Sequence, residues 1–214
     1  MQKPLPTLTF ELDRWQAGAD RVAGIDEVGR GCIAGGVMAA AVILPATSTL
    51  LQDLGAVRDS KQLSRIQRQE LFPQIMTIAS AVGLGGATVK EIDRLNIRQA
   101  TILAMQRALA QVQPVDWVLV DGLFLPELGI PHQGIVKGDQ HCLSIAAASI
   151  VAKVKRDRVM AQISQRFPGY GWEHNAGYGT AFHYRALERL GITPHHRRSF
   201  LRSWLHHPAS QSPC

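Results

Sequence analysis

The chain has 214 residues, 46% of them apolar, and 23 basic against 17 acidic side chains give a net charge of +6. That length supports one substantial core rather than several domains, and the basic excess points to a polyanionic partner, nucleic acid foremost. Cys32, Cys142 and Cys214 are far apart and form no CxxC pair, which argues against a disulfide framework or a zinc knuckle. No signal-peptide pattern and no apolar run of about 18 residues is present, so a soluble cytoplasmic protein with no membrane partner is expected.

Residues 1–20 read as a lead-in whose Phe10 and Leu12 dock on the core. The apolar run Val22 to Ile25 meets Asp26 and Glu27 and then the glycine-flanked Gly29-Arg30-Gly31, which reads as a strand entering a tight turn. Gly35 to Leu44 is a second, buried strand that completes a hairpin over 22–44. The polar loop 53–64 contains Asp59-Ser60-Lys61, and Ser64 is placed to cap a helix over 65–77. A glycine-weakened strand over 81–89 follows, then one helix over 90–112 with apolar residues at helical spacing.

Asp116 to Val120 is a strand ending at Asp121-Gly122, and Ile135-Val136 is a short one ending at Lys137-Gly138-Asp139. A long helix runs from Leu143 to about Ile163, in which Ala146 to Ala148 indicate close packing on the sheet. A Gly- and aromatic-rich loop (166–178) and a helix near 180–190 complete the globule. The main domain is expected over 21–204, and the tail 205–214 to be disordered. The order of elements is a mixed α/β pattern. Its first three strands can pair antiparallel, and the 116–120 strand joins through a helical crossover.

Asp26, Asp121 and Asp139 each stand where an apolar strand gives way to a glycine turn. Strand ends at one sheet edge make the usual crevice of an α/β protein, so the three can converge there with Glu27 beside them. Any one of them alone is well explained as a turn former. Together, in a basic chain, they suit a divalent metal, and all-oxygen ligands select Mg²⁺ or Mn²⁺. Carboxylates with a substrate phosphate can hold one or two ions for displacement at phosphorus. One tension remains, because Asp26 and Glu27 are neighbours in a strand and should point to opposite faces.

Ser149, Lys153 and Arg156 share one helical face and suit backbone phosphates, against the alternative of a solvated face. Lys61 is a candidate phosphate contact in its loop. Tyr170, Trp172 and Tyr178 can each stack on a sugar or base, although packing is the commoner fate of one such ring. His174, His183, His195 and His196 have no metal-ligand spacing and read as structural or surface groups.

The stretches GIDEVGRG, DSKQLS, VDG at 120–122, KGDQ at 137–140, AAASIVAKVKRD at 146–157 and GYGT at 177–180 occur in one order. In this the chain resembles ribonuclease HII, the type 2 ribonuclease H, from about residue 20 to 200. The resemblance implies an RNase H-like fold, a mixed central sheet flanked by helices with a helical C-terminal part. It implies a monomeric nuclease that acts on the RNA strand of RNA–DNA hybrids. It also implies nicking of DNA on the 5′ side of an embedded ribonucleotide, leaving a 3′-hydroxyl and a 5′-phosphate. By the same similarity Asp26, Glu27, Asp121 and Asp139 match the acidic positions, and Gly29, Arg30 and Gly31 match the turn that reads the 2′-hydroxyl. Tyr178 matches a stacking tyrosine, while Lys61, Ser149 and Lys153 fall in motifs that line the nucleic-acid groove. Cys32 and Leu123 depart from residues common at those positions.

Three rival readings have their own signatures. Gly29-x-Gly31-x-x-Ala34 fits a relaxed dinucleotide fingerprint, but a strand rather than a helix follows it. A non-catalytic binding module explains the charge but not four strand-end acids. A different nuclease of the same fold, such as a resolvase, would act on all-deoxy substrates.

Overall fold

The computed structural model describes residues 5–47 and 49–205. The expected disorder of 205–214 falls, beyond Leu205, outside the described residues. In chain order the elements are α1 (Thr9–Gln16), β1 (Val22–Val28), β2 (Val37–Ile43), α2 (Leu50–Asp53), α3 (Arg65–Ile78), β3 (Ala81–Ala87), α4 (Val89–Leu95) and α5 (Ile97–Leu109). There follow β4 (Trp117–Asp121), β5 (His132–Ile135), α6 (Gly138–His141), α7 (Leu143–Arg166), α8 (Trp172–Asn175) and α9 (Ala181–Leu190).

The five strands form one sheet in the order β3-β2-β1-β4-β5. The first three pair antiparallel, and β4 and β5 join parallel to β1, as the hairpin and crossover pattern implies. Side-chain alternation splits the core in two. Ala40, Val42 and Leu44 pack with α3 and the alanine-rich face of α7. Ala23, Ile25, Ala39, Ala41, Val118 and Val120 pack with α5 on the opposite face. Each leucine-sized side chain fully buried in these layers contributes roughly 1.5–3 kcal/mol.

Local chemistry sets the element boundaries. Ser64 caps α3 in a reciprocal capping box with Gln67. The single helix expected over 90–112 is two helices. Asn96 turns to φ +70°, ends α4 and accepts from the Gln99 amide at the start of α5. The glycines of β3 have a packing reason, because a Cβ at Gly83 or Gly85 would strike the carbonyls of Ala108 or Ala104 in α5.

The lead-in is a helix whose contacts differ from expectation. Phe10 packs against the core, but Leu12 is exposed, and Leu8 and Glu11 are the buried residues. Helical phase puts Glu11 inward, where it accepts from the Ser144 amide (2.7 Å) and Cys142 Sγ (3.1 Å) at the first turn of α7. A carboxylate there complements the positive end of that helix. The short strand expected at 135–136 is His132–Ile135, and Val136 lies outside it, largely exposed.

Candidate active site

Asp26, Asp121 and Asp139 meet at the C-terminal edge of β1 and β4. Each offers one carboxylate oxygen, and these oxygens lie within 4.8 Å of one another. The sheet explains the meeting: β1 pairs with β4 only as far as Ile25↔Val120, so both acids follow at the edge, in parallel register. Asp139 arrives from the other side on α6, whose Gly138 amide donates to Asp121 Oδ1 at 2.7 Å.

Three carboxylates so close, two of them buried, cannot all stay charged without a counter-ion. Burial, then Glu27 and Asp121, push the Asp26 carboxyl well above the usual carboxylate range. Burial and Glu27 raise Asp121, and burial and Asp121 raise Asp139. The cation within reach is Lys61, whose Nζ is 3.2 Å from Asp139 Oδ2. Although burial opposes it, that pairing raises the lysine pKa. Compact, oxygen-only and electrostatically frustrated, the set fits a hard divalent cation.

Glu27 is not in that trio. Alternation sends it to the other face of β1, where it lines a cavity of about 320 Å³ with Arg30, Asp121, Arg98 and Met105. Its Oε1 takes a 3.1 Å ion pair from Arg30. The tension between adjacent acids is thus real: Glu27 acts on the cluster through its charge, beside rather than within it. A roomier cavity of about 550 Å³ is lined by Val37, Met38, Val89, Val159, Met160 and Pro194 and holds no carboxylate. Electrostatics, not size, marks the site.

Beyond Glu27 the chain turns at Gly29, with φ +91°, where a Cβ would strike the Arg156 guanidinium. At Gly31 a Cβ would meet only Tyr178 Cε1, at 3.9 Å, so nothing in the protein itself demands a glycine there. Tyr178 remains 44% exposed beside this turn, whereas Tyr170 and Trp172 are buried and stacked on each other. Only the first of the three rings is therefore free to stack on a substrate.

The basic helical face divides. Arg156 is buried and bonded to the carbonyls of Gly36, Ala34 and Ala176, so it is not the phosphate contact expected. Ser149 is buried and donates to Ser60 Oγ at 2.7 Å, beneath the loop that presents Lys61. Lys153 pairs with Asp157 at 2.8 Å and is partly open.

The histidines include a buried pair. His183 Nδ1 faces the Tyr178 carbonyl (2.9 Å) and so carries the proton. Its Nε2 accepts from Trp172 and from His196 Nε2, and His196 Nδ1 accepts from the Thr193 amide. Burial lowers both pKa values, that of His196 to about 3. Sequence reasoning read both as structural or surface groups without pairing them, and it missed the buried Asp59 that caps the Lys61 turn and Arg197. The crowding of cations and histidines at 195–198 was the available signal.

Strand-end carboxylates on a β3-β2-β1-β4-β5 sheet, beside a basic loop and a glycine turn, fit a metal-dependent nuclease of the RNase H-like fold. The family model described as Ribonuclease HII matches residues 23–204. A ribonuclease HII of Synechococcus sp. (strain JA-3-3Ab) is 58% identical over 91% of this chain and 88% of that relative. Another, of Thermosynechococcus vestitus, is 54% identical over 93% of this chain and 92% of its own length. The crystal structure of ribonuclease H2 from Pyrococcus horikoshii OT3 superposes with a TM-score of 0.73 at 26% identity, covering 89% of this chain and 95% of that one. The chain belongs to the ribonuclease HII family, the metal-dependent type 2 endoribonucleases that act on RNA–DNA hybrids.

Proposed function

We propose that Asp26, Asp121 and Asp139, with Glu27 alongside, hold one or two Mg²⁺ or Mn²⁺ ions and cleave the phosphodiester 5′ to a ribonucleotide. The products are a 3′-hydroxyl and a 5′-phosphate. The observation that carries this reading is the trio of carboxylate oxygens within 4.8 Å. Bound there, the cation supplies Lewis-acid activation of water and of the scissile phosphate.

The chain's own groups do the rest. Burial and crowding raise the carboxyl pKa values, so a cation held by these residues would compete with protons and with Lys61 for the same oxygens. Lys61, whose side chain is largely exposed, would then be free to meet a phosphate. Arg30 and Gly31 are exposed just beyond the strand end, where main-chain groups can approach a ribose closely. Tyr178 stacks on the adjoining sugar, and Lys153 and the Ser149-supported loop follow the backbone. All of these groups come from one chain, consistent with a monomer acting on duplex nucleic acid. None of the described helices is long and apolar enough to cross a membrane.

The test is Asp121→Asn, which keeps the acceptor for the Gly138 amide while removing one charge. Turnover should fall by at least 100-fold with the fold intact, and full activity with an unchanged metal requirement would remove Asp121 from the ligand set. Tyr178→Ala should lower cleavage at a single ribonucleotide more than stability; equal loss of both would make Tyr178 a packing residue.

A further inference from the structure

Two arginines, Arg156 and Arg197, are buried without an ion-pair partner among the described residues. A buried guanidinium is normally matched to a carboxylate. These two instead donate to six main-chain carbonyls, five of them in the segment from Gly29 to Gly36. The division of labour is specific. Arg156 serves Ala34, Gly36 and Ala176, whereas Arg197 serves Gly29 (2.6 Å), Gly35 (2.8 Å) and Arg30 (2.9 Å).

The carbonyls of Gly29 and Arg30 belong to the same peptide units as the amides of Arg30 and Gly31. A trans peptide directs its N–H opposite to its C=O. Drawing both carbonyls inward to Arg197 therefore turns both amides outward, and a charge-assisted bond on the oxygen polarises the N–H as a donor. Arg30 and Gly31 are exposed, and among the described residues neither amide donates to a protein acceptor. Arg197 itself is fixed, because its amide bonds the Ile33 carbonyl at 2.8 Å and its guanidinium lies over the Phe200 ring. Its planar fork serves three carbonyls from three separate nitrogens in fixed directions, whereas an ammonium offers its donors from a single atom.

We propose that Arg197 is a positioning residue for ribose recognition: it orients and polarises the Arg30 and Gly31 amides so that they donate to the 2′-hydroxyl side of the substrate. This rests on the reading of the Gly29-Arg30-Gly31 turn as the ribose-reading element. No contact between Arg197 and the substrate is implied, since the side chain is fully buried and each of its three nitrogens already bonds a protein carbonyl.

The experiment compares affinity, in EDTA, for a DNA duplex with one ribonucleotide and for the same duplex without it. EDTA removes metal and cleavage, leaving the protein's own contacts to discriminate. One or two hydrogen bonds to the hydroxyl give the unsubstituted protein roughly a 3- to 30-fold preference. Arg197→Lys should bring that ratio close to one with the all-DNA affinity unchanged, and lower kcat/KM with Mg²⁺ roughly 10- to 100-fold. Leu109→Ala, a core truncation under the far face of the sheet, should lower Tm while keeping the ratio. An Arg197→Lys protein that keeps the preference overturns the inference alone. A ratio of one in the unsubstituted protein overturns the reading of the turn, and the inference with it. Should Arg197→Lys not fold, amide exchange in the unsubstituted protein decides. The Arg30 and Gly31 amides must exchange freely alone and become protected only with the ribonucleotide-containing duplex. Protection without nucleic acid overturns the proposal.

Discussion

Replacing Asp26 with asparagine should stabilise the metal-free protein while destroying its activity. Asp26 is buried, and its carboxylate oxygen lies within 4.8 Å of those of Asp121 and Asp139. At that separation a fully charged pair repels by about 3.5 kcal/mol at an effective permittivity of ~20. Protonation already relieves part of this, since the Asp26 carboxyl titrates well above its ordinary range, and Lys61 offsets another part. A gain of about 1–3 kcal/mol remains, or roughly 3–10 °C in Tm for a chain of this size. The asparagine amide oxygen can still accept the 2.7 Å bond from the Glu27 amide, so no local contact is lost. The pH dependence has a definite sign. A carboxyl with a raised folded pKa binds more protons folded than unfolded, so in EDTA it weakens the fold as pH rises above about 4. The substitution should flatten that slope. Calorimetry of both proteins in EDTA and in Mg²⁺ tests this: the ion should raise Tm of the unsubstituted protein by more than that of the variant. A variant less stable than its parent in EDTA would refute the argument that repulsion shapes this cluster.

Two further outcomes follow from the same contacts. Gly29→Ala should destabilise by at least 1–3 kcal/mol, because φ is +91° and the new Cβ meets the Arg156 guanidinium. Gly31→Ala should leave Tm within about 2 °C yet reduce cleavage about 100-fold; thermal scans and rates on the pair separate the two roles, and a Gly31→Ala protein of full activity would move the ribose elsewhere. The neutral His183–His196 pair should make stability in Mg²⁺ fall as pH drops below about 6.5, by up to about 1.4 kcal/mol per unit for each histidine. The reason is that the unfolded chain takes up protons that the buried rings refuse. His196→Asn should flatten this slope, and an unchanged slope in denaturant titrations would assign the loss to other groups.

Much of the molecule was legible from residue pattern alone. The apolar runs ending in Asp26 and Asp121 are strands because nothing else fits their length and bounds, and the acids converge because parallel strands end at one edge. The capped start at Ser64 and the alanine run of α7 were equally readable, each being set by neighbours in sequence. What was not readable depends on partners far along the chain. Nothing near Asn96 announces that it will turn to φ +70° and split a helix. Arg156 looks like a phosphate ligand in its helical repeat and is instead pulled inward by carbonyls 120 residues away. Arg197 sits in a basic stretch to which residue pattern assigns no role, and only the folded turn supplies the acceptors that bury it. Strand alternation raised a tension over whether Asp26 and Glu27 can share a site, and the oxygens that lie within 4.8 Å of one another are those of Asp26, Asp121 and Asp139, without Glu27.

The central claim is that this carboxylate cluster and glycine turn cleave at a ribonucleotide with a divalent ion. The direct measurement incubates a DNA duplex carrying one internal ribonucleotide, and its all-DNA counterpart, in Mg²⁺, in Mn²⁺ and in EDTA, and maps the cut. A metal-dependent nick on the 5′ side of the ribonucleotide, absent from the all-DNA duplex and from EDTA, is the result predicted. Cutting of both duplexes, or binding without a nick in either metal, would contradict it.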